Sequence, residues 1–448
     1  MKPKCLLIAS AISILAFFSL ITAPAAAQSP APLRLTLDDA IAQGLKANLN
    51  VLLAGAQVDE AAGTRERRLA AALLPRVSAE TYANVQNRNL RAFGISLPGM
   101  PQVVGPFSNY DIRLYAQQNV VDLANYHVFK SSEQALQTDK LSEQDARDGI
   151  VRLVAALYLN AEAAEARSAA AQSRVNDAEA LSRLANDKHD AGTATGVDVL
   201  RANVQLANDR QILLESQNQY RQALLALART IGIDPGTPIE LAETLEYRPL
   251  TTQTADELAV SALTARADYQ ALASQRASLM EQQRANHARL YPRLSLSGNY
   301  GGLGRSVGSI QGTGMIQGQI DITLFDRDRD GEAQELAARL KSVDSRIADL
   351  RRGIAEEIRQ SLLDLDSARQ QVDVARQGQD LARRELEMTR DRFEQGTANN
   401  VEVITAQDEQ ARAEENYILA LSSYQDAKFA LARALGDTRK NVAEFTKQ

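Results

Sequence analysis

The side chains that carry most enzyme chemistry are sparse and scattered in this 448-residue sequence. His127, His189 and His287 are the only histidines, and each sits in helix-forming sequence far from the other two. A zinc or other transition-metal site needs several such ligands at short, regular spacings, and a nucleophile needs an adjacent base; neither pattern occurs. Cys5, the single cysteine, lies in an apolar N-terminal segment. The stretch GGLGR at 301–305 has the composition of a phosphate loop but falls in strand-and-turn sequence. A phosphate cradle instead opens a helix directly after a strand. No catalytic residue, metal ligand or cofactor is assigned, and an enzyme is not expected.

The residues that do recur at a fixed spacing lie around two turns, DKHDAGTATGVDVL at 187–200 and DRFEQGTANNVEVI at 391–404. Aligned without gaps at an offset of 204, segments 187–232 and 391–436 share 15 identities in 46 positions. These include Gly192/Gly396, Thr193/Thr397, Val197/Val401, Ala202/Ala406, Tyr220/Tyr424 and the run ALAR. Alanine-rich helices resemble one another by chance, but chance does not keep the turn, the tyrosine and the terminal Gly232/Gly436 in one register. The chain is an internal duplication, and its architecture is that of a repeat.

The elements that place these turns follow from punctuation. No proline occurs from Phe107 to Asp234 or after Arg293. Gly149 is the only glycine between Tyr126 and Asp190, and Gly353 and Gly378 the only two between Glu332 and Gln395. Helices are predicted over 126–190 and 332–395; at 1.5 Å per residue each is about 100 Å long and needs a coiled-coil partner along its length. Shorter return helices are predicted over 198–231 and 402–435. Leu213, Gln217, Tyr220, Leu224, Leu227 and Ile231, like Tyr417, Leu421, Tyr424, Lys428, Leu431 and Leu435, follow a heptad seam and read as packing. Helical sequence also precedes the marks LLPRVS (73–78) and LYPRLS (290–295), in the second copy over 254–290. The first copy carries 13 extra residues, which the Pro- and Gly-rich stretch 91–108 accommodates.

After each Pro-Arg mark the period changes to 2. Val77, Ala79, Ala83 and Val85 alternate with polar residues, as do Ile112 and Leu114, Leu294 and Leu296, and Ile316 and Ile320. Strands are expected over about 77–90, 109–123, 293–303 and 313–325, with the weak alternation of membrane β-strands. Four strands cannot close a barrel, and open edges are excluded from hydrocarbon. Three copies would supply twelve strands and a sixfold set of hairpins, a conduit continued by a helical tube.

Lys2 and Lys4, the apolar run 6–21 and Ala25-Ala26-Ala27 read as a secretory signal peptide over 1–27. Its removal takes Cys5 with it and shifts the net charge from −6 to −8, because two lysines and no acid are lost. That acidic balance argues against nucleic acid as partner. The remaining layout is a first repeat over 28–232, an equatorial linker over 233–253, a second repeat over 254–436 and a tail over 437–448.

With the doubled Gly-Thr turns, the following VDVLRA and VEVITA, the Pro-Arg marks and the helix ends LARTIG and LARALG, the sequence resembles the TolC-like outer-membrane efflux proteins. The resemblance spans essentially all of the mature chain. It implies a mainly α fold with a membrane β part: a homotrimer forming a 12-stranded β-barrel in outer-membrane lipid, continued by a periplasmic α-helical barrel. It also implies a passive export duct working with a periplasmic adaptor protein and an inner-membrane transporter. By position, Gly192, Thr193, Ala194, Gly396, Thr397 and Ala398 would form adaptor-docking notches. Asp198, Phe393, Glu402 and Thr405 would lie at the periplasmic gate. Three departures stand out: Thr405 where a second acid is expected, Phe393 in place of a latching tyrosine, and Ala398 in place of an arginine. The competing reading is a periplasmic coiled-coil adaptor that conducts nothing; such a chain would carry one hairpin and compact β-domains.

Overall fold

The computed structural model describes residues 32–96, 98–250 and 254–447; the expected signal peptide lies outside them. The chain runs β1 (Leu33–Leu35), α1 (Leu37–Ala47), α2 (Leu49–Leu73), β2 (Arg76–Asn89), β3 (Val103–Val121), α3 (Leu123–Asp190) and α4 (Gly196–Ile231). It continues with β4 (Ile239–Leu241), α5 (Ala255–Ala265), α6 (Ala267–Ala288), β5 (Arg293–Gly304), β6 (Gln311–Asp321), α7 (Arg327–Glu394), α8 (Asn400–Leu435) and α9 (Thr438–Lys447).

The two long helices, α3 and α7, have 68 residues each and their return helices 36 each. Both long helices start earlier than their sequence suggests, because an aspartate at the strand–helix junction caps each one. The Asp122 carboxylate accepts from Asn125 N at 3.0 Å and that of Asp326 from Arg329 N at 3.3 Å. Such caps satisfy amides that the first helical turn leaves without an intrahelical partner. Side by side, the helices of the two hairpins run α4–α3–α8–α7, with α6 seated on both α3 and α7 and α2 on α3.

The helix expected over 254–290 is broken, and so is the helical sequence before LLPRVS. The stretch 254–290 divides at Arg266, which is extended (φ −71°, ψ 120°) and buried. Its guanidinium holds Asp268 at 2.7 Å, pairs with Glu357 of α7 and reaches Ala434 O at 3.3 Å. The helical stretch before LLPRVS divides at Asn48, whose side chain accepts from Asn50 N at 3.0 Å and donates to Thr230 O at 3.2 Å. In both cases a tertiary contact to another helix repays the lost helical hydrogen bonds.

At the equator β1 pairs parallel with β4, Leu33 opposite Ile239. Beneath them lies the largest core, with Leu35, Ile41, Val151, Val154, Tyr158, Leu227, Ile231, Phe429 and Val442. Full burial of each such aliphatic side chain contributes about 1.5–3 kcal/mol. The linker before α5 forms a strap over α8: Leu250 N donates to the Tyr424 hydroxyl at 2.9 Å, Gln425 to Glu246 O at 2.7 Å and Lys428 Nζ to Arg248 O at 3.2 Å.

The four remaining strands form one antiparallel sheet in the order β2-β3-β5-β6, so the two repeats join at β3–β5. On one face Ala79, Leu114, Tyr300 and Gly314 stand in register across all four strands, and Ile112, Ile316 and Ile320 extend this exposed apolar surface. The opposite face is polar, with Glu80 opposite Arg113 and Asp111 buried beneath the Arg113 guanidinium, whose Nε donates to it at 2.6 Å. Among the described residues β2 and β6 have no outer neighbour. No described helix is long and apolar enough to cross a membrane.

Candidate functional site

The two repeated turns adopt the same backbone. Gly192 and Gly396 both have φ +75°, the left-handed region that glycine enters without strain. In the first turn Thr193 N and Ala194 N donate to Lys188 O at 2.8 and 3.1 Å, and the Thr193 hydroxyl donates to the same oxygen at 3.0 Å. In the second, Thr397 N, Ala398 N and the Thr397 hydroxyl converge on Arg392 O at 2.9, 3.2 and 3.1 Å. Each threonine is thus fixed by closing the C-terminal end of the descending helix. A Cβ on either glycine would meet no atom within 4 Å, so φ, and not crowding within the chain, requires glycine there.

The return helices start on matching capping boxes. Thr195 N and the Thr195 hydroxyl donate to the Asp198 carboxylate at 3.0 and 2.7 Å. Those two bonds, the hydroxyl first, hold the Asp198 carboxyl below its ordinary range. Asn399 N donates to Glu402 Oε1 at 3.2 Å while Glu402 N donates to Asn399 Oδ1 at 3.0 Å. Glu402 also lies 3.3 Å from Arg392, an exposed pair of small energetic weight. Both candidate gate acids are therefore engaged within their own repeat. Thr405 is exposed on the first turns of α8. His189 lies on the surface and donates from Nδ1 to Ala194 O at 3.1 Å.

Phe393 is buried between the hairpins, in a cluster that draws on all four helices: Leu181 and Ala185, Ala202, Leu386, and Val403 and Ala406. No motif or spacing singles out Lys188, yet it is the residue that grips Phe393. Its ammonium lies 4.3 Å from the ring centroid, donates to Phe393 O and reaches Glu394 O at 3.5 Å. A lysine at the C-terminal end of a helix meets its free carbonyls and the negative end of its dipole. A second link runs from Asn400 Nδ2 to Asp198 O at 2.9 Å. Further up, Arg390–Asp177 and Arg174–Asp408 tie the hairpins at 2.8 and 3.2 Å, and Arg167–Glu415 and Arg152–Asp426 at 2.8 Å each. Asn400 Oδ1 and both amide atoms of Gln407 are buried with no hydrogen-bond partner among the described residues. Orphaned groups of this kind cost about 1–3 kcal/mol each and so weaken the contact between the two hairpin tips.

No group of three or more potential metal ligands lies together among the described residues. What the site can do is mechanical: two rigid helical hairpins meet at their tips through a few polar clasps around an aromatic plug.

The sequence matches the family described as Outer membrane efflux protein over residues 40–233 and 258–437. Protein CyaE of Bordetella pertussis is 28% identical over 311 residues, 66% of this chain and 64% of that protein. The pyoverdine export outer membrane protein OpmQ of Pseudomonas aeruginosa is 30% identical over 170 residues, 36% of this chain and 35% of that protein. The chain thus aligns with less than two thirds of either relative's length. The outer membrane protein VceC of Vibrio cholerae has the same fold, with a TM-score of 0.75 at 19% identity over 89% of this chain and 96% of that one.

Proposed function

The chain belongs to the outer membrane efflux protein family, and on that premise we propose that it is the outer-membrane duct of an export system. Its fold and family are those of passive channels, not of enzymes. The observation that carries the finer reading is an asymmetry between the two halves of a duplicated molecule. On α8, Ile418 and Phe429 are 6% and 4% exposed, Phe429 in the core it shares with α3; their counterparts on α4 at the 204-residue offset, Leu214 and Leu225, are 68% and 49% exposed. Leu159 on α3 is 3% exposed, and its counterpart Leu363 on α7 is 67% exposed. The interface formed once inside the chain, α3 against α8, is vacant where α7 and α4 should form it again. A neighbouring copy offers the complementary face. The exposed residues Val374, Leu381 and Met388 recur at heptad spacing along α7, as Leu200 and Leu214 do, two heptads apart, along α4.

The same repetition closes the sheet. β6 of one copy beside β2 of the next repeats the β3–β5 pairing, and three copies give twelve strands with no free edge. The apolar face then meets lipid and the polar face lines the lumen. The hairpins continue that lumen as a helical barrel in the periplasm, and six tips ring its mouth. Gly192, Thr193 and Ala194 with Gly396, Thr397 and Ala398 are the notches that receive a periplasmic adaptor, which couples the duct to an inner-membrane transporter. Gly192 and Gly396 suit this role because each leaves open space where a side chain would stand. Asp198, Phe393, Glu402 and Thr405 belong to the closed mouth, with Lys188 supplying the clasp that a tyrosine hydroxyl or an arginine does not supply here. A lone coiled-coil adaptor accounts for neither the second hairpin nor the amphipathic sheet.

The test is planar-bilayer recording on the purified protein, together with its mass by light scattering. A trimer with cation-sensitive, low conductance in its closed form is expected. A monomer, or a trimer that passes no current even with Lys188→Met and Arg390→Met to loosen the tips, would exclude a duct.

A further inference from the structure

The end of the sheet farthest from the helices has a charge pattern that the duct function does not require. No acid lies between Glu80 and Asp111, or between Glu281 and Asp321. The last residues of β2 and the β2–β3 and β5–β6 connections carry Arg88, Arg91 and Arg305 respectively, all exposed. In a chain of net charge −6 this end is wholly cationic. Arg305 lies over the Phe107 ring, 5.5 Å from its centroid, and Phe107 pairs across the sheet with Gln86, two residues before Arg88. Strand geometry therefore puts the arginines within roughly 15 Å of one another. Exposed apolar side chains surround them: Phe93, Ile95, Met100, Val103 and Val307. Guanidinium groups beside apolar side chains, with no competing carboxylate, match a phosphate group attached to acyl chains.

We infer that Arg88, Arg91 and Arg305 form a docking surface for phosphate-bearing lipids of the leaflet that faces outward. The inference rests on the duct reading for the position of this end of the sheet. In a trimer the surface repeats three times, giving nine arginines around the rim. The partner is the lipid and not a soluble anion, because apolar side chains flank the cations and an anion alone would not engage them.

The test uses full-length protein in a non-ionic detergent, with bisphosphorylated lipid A as probe and bound lipid per chain read by native mass spectrometry. Retention of the lipid, its loss on raising salt from about 0.1 to 1 M, and its persistence against 10 mM inorganic phosphate are expected. An Arg→Gln change at one position should weaken retention about five-fold, and R88Q/R91Q/R305Q together roughly 100-fold. Equal retention by wild type and the triple variant would overturn the inference. So would equal retention of chemically dephosphorylated lipid A, which needs only the wild-type protein, or displacement by inorganic phosphate, which would make this a soluble-anion site. Conductance is recorded separately on the same protein. A conducting trimer that retains no lipid removes this inference alone, whereas a protein without conductance removes the duct reading whatever it retains.

Discussion

Lys188 and Gln407 act on the tip in opposite directions. Lys188 clasps the carbonyl end of α7 and the Phe393 ring, so Lys188→Met should loosen the junction by about 1 kcal/mol and raise the open probability several-fold in single-channel records. Gln407 buries an amide with neither end satisfied, so Gln407→Leu removes a desolvation cost without adding strain. It should lower open probability by roughly ten-fold, corresponding to about 1.4 kcal/mol. Opposite signs from two polar residues at the same junction would not arise from general destabilisation. Glu162, buried on α3 beside the equator, responds to pH. Burial first, then Glu243 and Glu165, pushes its carboxyl up to about 8 from an ordinary 4.5. Between those values the folded protein holds a proton that the unfolded chain has released, so stability falls as pH rises through that window. Glu162→Gln should flatten this slope. Thermal unfolding at pH 5 and pH 9 should show the variant gaining about 2 kcal/mol on wild type at the higher pH and nothing at the lower.

Helices α4 and α7 carry the apolar stripes that a second copy would cover, and they give the prediction at the level of elements. Leu381→Glu with Val374→Glu places two charges in that seam while leaving α3 against α8 intact. Light scattering should report a monomer whose circular dichroism keeps its helical signal; a persisting trimer would refute the proposed seam. The stripes also mark what the sequence disclosed. Both long helices were legible because nothing in them punctuates the pattern, and the strands because their period changes to 2 after each Pro-Arg mark. The junction at Arg266 was not legible, since arginine is a good helix former and its reason for breaking the helix is a guanidinium held by Asp268, Glu357 and Ala434 O, the last two far along the chain. Lys188 was missed for the same reason: a lysine in the last turn of a helix looks solvated until the neighbouring hairpin is placed against it. Lys428 occupies a heptad seam position, yet it lies fully buried beneath the strap before α5.

In the proposed trimer three copies of the α8 N-terminus would converge on one axis, and the charge there would depend on a balance already present in one chain. Glu402 is the acid proposed for that mouth, but Arg392 stands 3.3 Å away and screens it, while Asn399 N takes one of its oxygens. A ring of three half-neutralised carboxylates binds divalent cations weakly; the same ring freed of its arginines would bind them several-fold more tightly, because like charges brought together favour a counter-ion. Arg392→Gln should therefore lower the magnesium concentration that half-blocks single-channel current by up to about ten-fold, whereas Glu402→Gln should abolish the block. Both substitutions leave Gly396, Thr397 and the backbone hydrogen bonds to residue 392 in place, so adaptor binding to the tips, measured with the purified partner, should change little. Block that is unaltered in Glu402→Gln would place the cation site elsewhere in the lumen, with the tip held shut by Lys188 and Phe393 and no electrostatic ring.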